Sequence, residues 1–581
     1  MSIVPHVRLR FSFKVFSRQM AALAVVGLVG TAGTFIAKSF ADDDRSHHFK
    51  FAPNSLVLSR TVYTGTAATV TIGETLPLGC PAGPNGTFNV DVPTTTPGTT
   101  TPVTVTCGVA SDNGEFPNLH DSHNVWNNAG SDPSFGMTSP IFLDNMTSDG
   151  RLVDSLQIPS DKIVTSFSSK SELALNRSID GKSITFVGYH GGPGCGGFPV
   201  SPTSVNLLDV SNANTPAVCD PTNPIVTSFQ SSSVVPTAYY RSVAEVDGDG
   251  KLSVTDGNAY SGDNGRAAIK AGNGLYYTVG NDNSGNLSKK QLPITPIGID
   301  LINATGAELL SPLAAPLVPP NVAMIGRLEI GTDKPGKDTN FRGLTIFNNT
   351  LYITKGSGSN GINTVYQVDS AGVLPTGTAT DLAAVPITIL PGFPNTTAST
   401  STAFPFGIWF ANATTLYVCD EGDGVLVTPA INGNVADAQS LATAGLQKWT
   451  LANGTWTMLY VLQDGLNIGV PYSVANYPTA LNPATGGCRN ITGRHNSDGT
   501  VTVYAVTSTI SANGDQGADP NKLVRVRDRV SETTLPVAGG DRDRDDRLGH
   551  FVTIRSARAG EAFRGVALAP QEDHRGGDGD R

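Results

Sequence analysis

The stretch Phe341-Arg342-Gly343-Leu344-Thr345-Ile346, followed after a turn by Leu351-Tyr352-Ile353, is the clearest copy of a phrase that recurs along this chain. The phrase has a small or basic residue, a short apolar strand, a turn, and a second strand that often carries Leu-Tyr. Copies lie further apart than the ~40–50 residues of a compact propeller blade, and we assign the excess to loops rich in Gly, Ser and Pro. Six copies are found, at Leu173, Arg266, Arg342, Phe406, Arg489 and Arg564.

Further strand-like runs lie between the copies. Asn453-Gly454 separates two alternating runs, which is a strong hairpin signal. Each unit therefore supplies about four short antiparallel strands, and such units repeated radially make a β-propeller. The last copy has one strand only, and the run at 55–63 offers strands that would close the ring and remove exposed edges. The sequence predicts an all-β protein, a β-propeller of six blades of about four antiparallel strands, with seven blades as the alternative.

The composition agrees with a turn-rich β protein. Charged residues make up 15% of the 581 residues, against ~25% in ordinary soluble domains. The chain contains 64 Gly and 38 Pro, which excludes a helical bundle or a coiled coil. A hydrophobic content of 39% excludes general disorder, because it can fill a core.

The first residues have the pattern of an export signal. A basic stretch is followed by an apolar run from Met20 to Ala37, and small residues at Ser39 and Ala41 suit cleavage after Ala41. A membrane anchor is the alternative. We expect residues 1–41 to be a signal peptide, and the protein to be secreted or periplasmic with no membrane insertion after cleavage.

The remaining chain is predicted to be one domain. Residues 42–570 would form a single β-propeller with long loop insertions at 80–107, 190–220 and 536–550. Residues 571–581 would form a disordered tail. We expect a monomer.

The charge argues against a nucleic-acid partner. The net charge is −10, and the charged residues of the export segment are all basic, so the mature chain is more acidic still. Such a chain repels phosphate backbones and anionic lipid surfaces.

The six cysteines suggest three disulfides in an exported protein, with free thiols as the alternative. Cys80 and Cys107 flank one loop rich in Thr and Pro. Cys195 and Cys219 flank another loop, rich in Pro and Ser.

The repeated phrase resembles the repeat of NHL-type propellers. The whole chain also resembles bacterial secreted propeller proteins without a clear activity. The resemblance implies that the end of one blade's second strand and the start of the next blade's first strand lie on the same face, so it implies a Cys419–Cys488 disulfide. Propellers include hydrolases, lactonases, lyases and pure binders, so the fold does not name the function.

Four arginines occupy one repeat position: Arg266, Arg342, Arg489 and Arg564. The NHL-type resemblance implies that this position lies near one mouth of the central channel. Four guanidiniums there could bind a carboxylate or a phosphate in bidentate fashion. Asp420 and Glu421 are counted with them as candidate ligand-binding residues. In the alternative interpretation, each arginine ties neighbouring blades together through carbonyls or through acids such as Asp420 and Glu421.

A candidate calcium loop runs from Glu245 to Asp256. Its oxygens follow the spacing of an EF-hand loop, with Gly250 at the sixth position. The candidate ligands are Glu245, Asp247, Asp249, Ser253 and Asp256. The flanks alternate as strands do, so a plain Asp-Gly hairpin turn is the alternative.

The sequence therefore favours a secreted β-propeller that binds an unknown ligand or extracellular partner at one face, with catalysis left open. No cofactor is certain, and Ca²⁺ is the one considered. The alternative function is a Ca²⁺-dependent propeller hydrolase or lactonase. An extracellular structural or adhesive module is a third possibility.

Overall fold

The described residues of the computed structural model form β-sheets. These residues are 48–63, 75–76, 87–93, 100–106, 108–117, 124–128, 138–167, 169–191, 240–257, 259–260, 264–281, 299–303, 322–325, 340–356, 361–378, 381–382, 384–396, 401–424, 442–477, 479, 482–510, 517–536 and 547–571. Within them, all 31 ordered elements are strands.

Five of the sheets are four-stranded, and we number them as blades. Blade 1 pairs β31 (Glu561–Leu568), β1 (Leu56–Val62), β8 (Ile141–Met146) and β9 (Leu152–Gln157) in that order. Blade 2 consists of β15 (Gly265–Lys270), β16 (Leu275–Gly280), β17 (Ile299–Asn303) and β18 (Val322–Met324). Blade 3 consists of β19 (Leu344–Phe347), β20 (Thr350–Lys355), β21 (Thr364–Val368) and β22 (Ile387–Ile389). Blade 4 consists of β23 (Pro405–Asn412), β24 (Thr415–Asp420), β25 (Gly445–Ala452) and β26 (Thr455–Leu462). Blade 5 consists of β27 (Ala484–His495), β28 (Thr500–Ile510), β29 (Lys522–Arg529) and β30 (Phe551–Ser556).

The remaining strands form three sheets of other sizes. A six-stranded sheet contains β14 (Leu252–Gly257), β13 (Arg241–Asp247), β12 (Ser183–His190), β10 (Ile163–Ser166) and β7 (Thr138–Ser139), with β11 (Asn176–Arg177) also paired to β12. A three-stranded sheet contains β2 (Thr75–Leu76), β5 (Gly108–Pro117) and β6 (Asn124–Asn128). A hairpin contains β3 (Thr87–Pro93) and β4 (Thr100–Thr106).

The sheets are arranged as a propeller. Along the series β15, β19, β23, β27 and β31, each first strand contacts the next, and β11 of the six-stranded sheet contacts both β31 and β15. The apolar cores lie between successive sheets. One core joins Tyr277 of blade 2 to Leu351 of blade 3, and another joins Leu446 of blade 4 to Val503 of blade 5. Burial of apolar side chains between facing sheets therefore holds the blades together.

The predicted number of blades, six with seven as the alternative, is wrong. The structure has five four-stranded blades. The weak copy at Leu173 does not begin a sixth blade of this kind. Leu173 has a φ of +60°, which is left-handed and cannot continue a strand. The strand after it, β11, has only two residues, and β12 pairs with β10 as well.

The chain ends close the ring, as the sequence predicts. Strand β1 lies between β31 and β8, with Leu56 opposite Leu568 on one side and Met146 on the other. Both edges of β1 are therefore paired, and the N-terminal and C-terminal strands share one blade.

The Phe-Arg-Gly phrase has a clear structural role. Phe341 is fully buried between blades 2 and 3, where it is part of their shared core. A Cβ on Gly343 would lie 2.2 Å from the carbonyl oxygen of Phe406 in the next blade. A Cβ on Gly407 would lie 2.3 Å from that of Arg489. Glycine at this position thus permits the first strands of neighbouring blades to approach each other closely.

Candidate functional site

A short insertion separates strands β10 and β11 of the six-stranded sheet. Strands β10 and β11 both pair with β12, with Ile163 opposite His190 and Asn176 opposite Thr185. The residues between them therefore leave the line of the strand. We call residues 169–175 the insert.

The insert contacts residues that lie in, or next to, strands of all five blades. Two of the residues that it contacts, Arg342 and Glu421, belong to the candidate ligand-binding residues that the sequence predicts. The contacts are Ser59 Oγ to the Leu173 oxygen at 2.8 Å, Asn264 Nδ2 to Ser169 Oγ at 3.1 Å, Arg342 Nη1 to Ser171 Oγ at 2.6 Å, Lys170 Nζ to Glu421 Oε1 at 3.4 Å, and Asn490 Nδ2 to the Leu175 oxygen at 3.3 Å.

One carboxylate of this region is surrounded by cations, and we call Lys170, Arg342, Glu421 and Arg489 the Glu421 cluster. Glu421 Oε2 accepts a hydrogen bond from Arg489 Nε at 3.1 Å, and Oε1 lies 3.4 Å from Lys170 Nζ. The side chains of Glu421 and Arg489 are each 3% exposed, whereas that of Lys170 is 23% exposed. Lys170 is therefore the member of the cluster that solvent reaches.

The cations keep Glu421 ionised. Burial by itself would raise the pKa of Glu421, but Lys170, Arg489 and Arg342 outweigh it and hold this pKa at about 2. For Lys170, burial lowers the pKa to about 8, with Glu421 opposing the change and Arg342 and Arg489 adding to it. An amine with this pKa is partly neutral near neutral pH, which is uncommon for lysine.

The neighbouring Asp420 is fully buried and has a different environment. Its carboxylate accepts hydrogen bonds from the backbone N–H groups of Phe404 and Gly422, at 2.8 and 2.9 Å, and from Gln447 Nε2 at 3.1 Å. Burial raises the pKa of Asp420 to about 7, although these backbone bonds oppose the rise. Two adjacent acids thus have pKa values on opposite sides of the usual range.

A disulfide fixes the strands that carry these groups. Cys419 and Cys488 are bonded, with Cα atoms 5.2 Å apart and a sequence separation of 69 residues. The predicted pairing is confirmed. Because Cys419 precedes Asp420 and Cys488 precedes Arg489, the bond holds the cluster at the junction of blades 4 and 5. Cys80, Cys107, Cys195 and Cys219 lie outside the described residues.

The four predicted arginines are all buried, and each contacts protein groups. Arg266 donates to the Phe341 oxygen at 2.8 Å and to Asn340, both beside the next blade. Arg342 donates to Ser171 of the insert, and Arg564 donates to the Phe167 oxygen. Arg489 bonds Glu421 of the preceding blade. These contacts correspond to the interpretation in which arginines tie the blades together, and ligand binding by the four as a set stays a prediction.

Arg489 carries a buried guanidinium nitrogen without an acceptor in the part of the chain that the structure describes. Arg489 is 2% exposed, yet its Nη2 has no hydrogen-bond partner among the described residues. A buried donor without an acceptor costs the full desolvation energy of that group, about 1–3 kcal/mol or more for a charged one. A ligand oxygen would supply the missing acceptor.

The candidate calcium residues lie on a β-hairpin, which is the alternative that the sequence left open. Glu245 on β13 is opposite Ser253 on β14. Asp247 accepts hydrogen bonds within the turn, from the N–H groups of Asp249 at 3.1 Å and Lys251 at 2.9 Å. Gly250 has the positive φ that such a turn requires, at +77°.

The first and last candidate calcium ligands, Glu245 and Asp256, have protein partners. Glu245 is bonded by Lys270 and Tyr276, at 2.6 Å each. Asp256 accepts from Ser242 Oγ at 2.6 Å and lies 3.1 Å from His190 Nδ1. The part of the chain that the structure describes has no group of three or more His, Cys, Asp and Glu side chains placed to hold a metal ion. Calcium binding stays a prediction.

The sequence did not identify Lys170 as a site residue. Its only signal was its place just before the weakest repeat copy, in the run Lys170-Ser171-Glu172. Glu172 is also buried, and it accepts hydrogen bonds from Thr165 Oγ1 at 2.7 Å and from Tyr189. These three polar residues, next to the weakest copy of the repeat, are the sequence signal that this segment departs from the strand.

Comparison with known proteins gives no family. No protein-family model matches the sequence, and no curated protein matches it. The NHL-type resemblance therefore stays a prediction at pattern level. Across the described residues, no helix has the length and apolarity needed to cross a membrane.

Two solved structures show a distant likeness. One is the dipeptidyl peptidase 4 of Porphyromonas gingivalis, with 7% identity, a TM-score of 0.22, and coverage of 77% of this chain and 56% of the other. Another is the trigonal crystal form of an ACO/RPE65 chimera, with 9% identity, a TM-score of 0.20, and coverage of 83% and 64%. The chain thus spans less than two thirds of the length of each. At these TM-scores neither likeness bears on function.

Proposed function

We propose that this protein is an extracellular propeller that binds a small anionic molecule at the Glu421 cluster, through Arg489 and Lys170. The observation that carries the proposal is the buried Arg489 Nη2, which has no hydrogen-bond partner among the described residues. A carboxylate or phosphate oxygen is the acceptor that best suits a guanidinium N–H.

The charges of the cluster favour an anion. Within it, Lys170, Arg342 and Arg489 surround one carboxylate, that of Glu421. An incoming anion therefore meets more positive than negative charge there, in a surrounding of low dielectric that strengthens the attraction. The partial exposure of Lys170 supports access from solvent.

The buried Cys419–Cys488 disulfide supports an extracellular location, because disulfides persist in oxidising compartments. This proposal keeps the export segment predicted at residues 1–41. The calcium-dependent hydrolase or lactonase remains the alternative predicted from the sequence.

Binding is tested by thermal unfolding with citrate, succinate or inorganic phosphate, and with uncharged glycerol as the control ligand. We expect the anions to raise the melting temperature, because a ligand that binds only the native state stabilises it. The rise should be lost in Arg489→Lys, which replaces the guanidinium by a single ammonium group and so removes Nη2. It should persist in Arg527→Lys, whose pair with Asp498 lies at the surface.

An equal rise in wild type, Arg489→Lys and Arg527→Lys would show that the anions act elsewhere, and would overturn the proposal. The absence of any rise in the wild type would do the same. Titration calorimetry on the wild type gives the stoichiometry, which we expect to be one anion per chain.

A further inference from the structure

We propose that Lys170 forms a reversible imine with a small carbonyl compound that carries a carboxylate, such as a 2-oxo acid, while Arg489 holds the carboxylate. This inference rests on the proposed function, because it assigns a substrate class to the same anion site. It adds a covalent contact that anion binding alone does not require.

The geometry places an amine and a carboxylate where such a reaction needs them. Lys170 Nζ lies 3.4 Å from Glu421 Oε1, so the developing positive charge on the imine nitrogen would face a carboxylate. Arg489 lies on the other oxygen of the same carboxylate, at 3.1 Å. A ligand whose carboxylate meets Arg489 Nη2 would therefore bring its neighbouring carbonyl carbon toward Lys170. Oriented binding of this kind makes an attack effectively intramolecular.

The amine is also chemically prepared for attack. Only the neutral amine is nucleophilic, and burial beside Arg342 and Arg489 lowers the pKa of Lys170 to about 8. A lysine with the ordinary pKa of ~10.4 is about 0.1% neutral near pH 7.5, whereas one with a pKa of about 8 is about a quarter neutral. Lysines desolvated next to other cations are activated in this way.

The reaction balances without any further reagent. The amine nitrogen attacks the carbonyl carbon, the C–O double bond opens, and the carbonyl oxygen leaves as water with two of the three protons of the ammonium group. The third proton stays on the protonated imine, so charge is conserved. Hydrolysis reverses the step.

A second lysine in this chain serves as a matched control. Lys270 also pairs with a glutamate, Glu245, at 2.6 Å, and its side chain is 28% exposed against 23% for Lys170. The partners that the structure gives for Glu245 are Lys270 and Tyr276, with no arginine between them. The two lysine side chains are thus similarly exposed, and the cluster around Lys170 adds the guanidiniums of Arg342 and Arg489.

The test treats the whole protein with glyoxylate in the presence of borohydride, which fixes the imine as a carboxymethyl adduct, and then maps the adducts by peptide mass spectrometry. We expect Lys170 to react at least about tenfold faster than Lys270. Glycolaldehyde, which replaces the carboxylate by a hydroxymethyl group, should lose this preference. Inorganic phosphate added first should slow the reaction at Lys170 and leave that at Lys270 unchanged.

The wild type itself separates the two proposals, because the rise in melting temperature reports anion binding and the adduct reports the imine. A rise with the anions together with a faster adduct at Lys170 than at Lys270 supports both. If the wild type shows the rise but no faster adduct at Lys170 than at Lys270, the imine is overturned and anion binding stands. An adduct at Lys170 that forms equally fast with glycolaldehyde also overturns the imine proposal, because the carboxylate then has no role.

Discussion

Glu421 links the insert to the junction of blades 4 and 5. Its carboxylate is buried and lies between the ammonium group of Lys170 and the guanidinium of Arg489. Removing one partner from a buried ion pair leaves the other charge without compensation, which typically costs about 3–5 kcal/mol. The insert and the junction of blades 4 and 5 both depend on this group.

We therefore expect Glu421→Gln to lower the free energy of unfolding by about 3–5 kcal/mol at neutral pH. The pKa of Glu421 is lowered to about 2, below the ~4.3 of an unfolded chain. Its stabilisation is thus present above about pH 4.3 and is lost as the pH falls toward 2. Chemical denaturation at several pH values should show this acid dependence in the wild type and a weaker one in the variant.

The control is Asp498→Asn, which removes the surface pair with Arg527 and should change stability much less than Glu421→Gln does. Equal effects of the two substitutions at neutral pH would contradict the role assigned to Glu421.

A second buried polar group joins blades 4 and 5. Asp528 on β29 accepts hydrogen bonds from Tyr417 at 2.5 Å and from Tyr460 at 3.0 Å, and it lies 3.0 Å from Lys448 Nζ. Burial, followed by the charge of Asp528, raises the pKa of Tyr417. This tyrosine therefore stays a neutral donor.

Tyr417→Phe should cost about 1.5–3 kcal/mol, because it removes a hydrogen bond to a charged acceptor. Tyr277→Phe should cost about 1 kcal/mol, because the Tyr277 hydroxyl donates to a neutral acceptor, the Pro375 oxygen, at 2.8 Å. Urea unfolding of both variants measures the difference. A loss for Tyr277→Phe as large as that for Tyr417→Phe would show that the charge of Asp528 adds nothing.

At the scale of the element, glycines of the repeated phrase allow the first strands of neighbouring blades to approach each other closely. Gly407→Ala would place a Cβ only 2.3 Å from the carbonyl oxygen of Arg489. Relieving that clash requires β23 and β27 to separate, and overpacking of this kind costs about 1–3 kcal/mol.

Gly272→Ala is the matched control, since its new Cβ would meet only Ile179 Cδ1 at 3.6 Å, an ordinary contact. We expect calorimetry to show a lower melting temperature for Gly407→Ala and little change for Gly272→Ala. An unchanged melting temperature for Gly407→Ala would mean that the strands can move apart at no cost.

The elements that sequence predicts well are those with local signals. The copies at Arg266, Arg342, Phe406, Arg489 and Arg564 each lie in, or just before, the first strand of a blade, because a glycine, a hairpin turn and alternating apolar residues lie within a few positions of one another. The copy at Leu173 has the apolar residues, but its strand is interrupted by the insert. What holds the insert in place is a set of contacts to residues hundreds of positions away, such as Asn490.

The residues of the candidate site also divide into those with a local sequence signal and those placed by long-range contacts. The Cys419–Cys488 bond was predictable from the repeat positions of the two cysteines together with the strand arrangement that the NHL-type resemblance implies. Lys170 lies in no repeat position, and its approach to Glu421 depends on the path of the insert between the blades. In the candidate calcium loop, Glu245 and Asp256 lie on paired strands of a hairpin, opposite Ser253 and Ser242, and calcium binding there stays a prediction.

At the scale of the whole molecule, one strand joins the two ends of the ring. Strand β31 pairs with β1 along its whole length, and Phe563, Val566 and Ala567 are buried in the cores on either side of blade 1. A chain ending at Ala559 lacks this strand. It should lose cooperative thermal unfolding and bind a hydrophobic dye, because β1 becomes an unpaired edge and two cores lose side chains.

A chain ending at Gln571 is the control, since it keeps β31 and removes only residues 572–581, and it should unfold as the full chain does. A synthetic peptide of residues 557–571, added to the chain that ends at Ala559, should restore cooperative unfolding in proportion to its concentration, because it can pair with β1 as the native strand does. Cooperative unfolding of the shorter chain without the peptide would show that the other sheets, with β1 held by β8 alone, suffice to keep the ring together. Pairing of β31 with β1 would then not be what makes the propeller unfold as one unit.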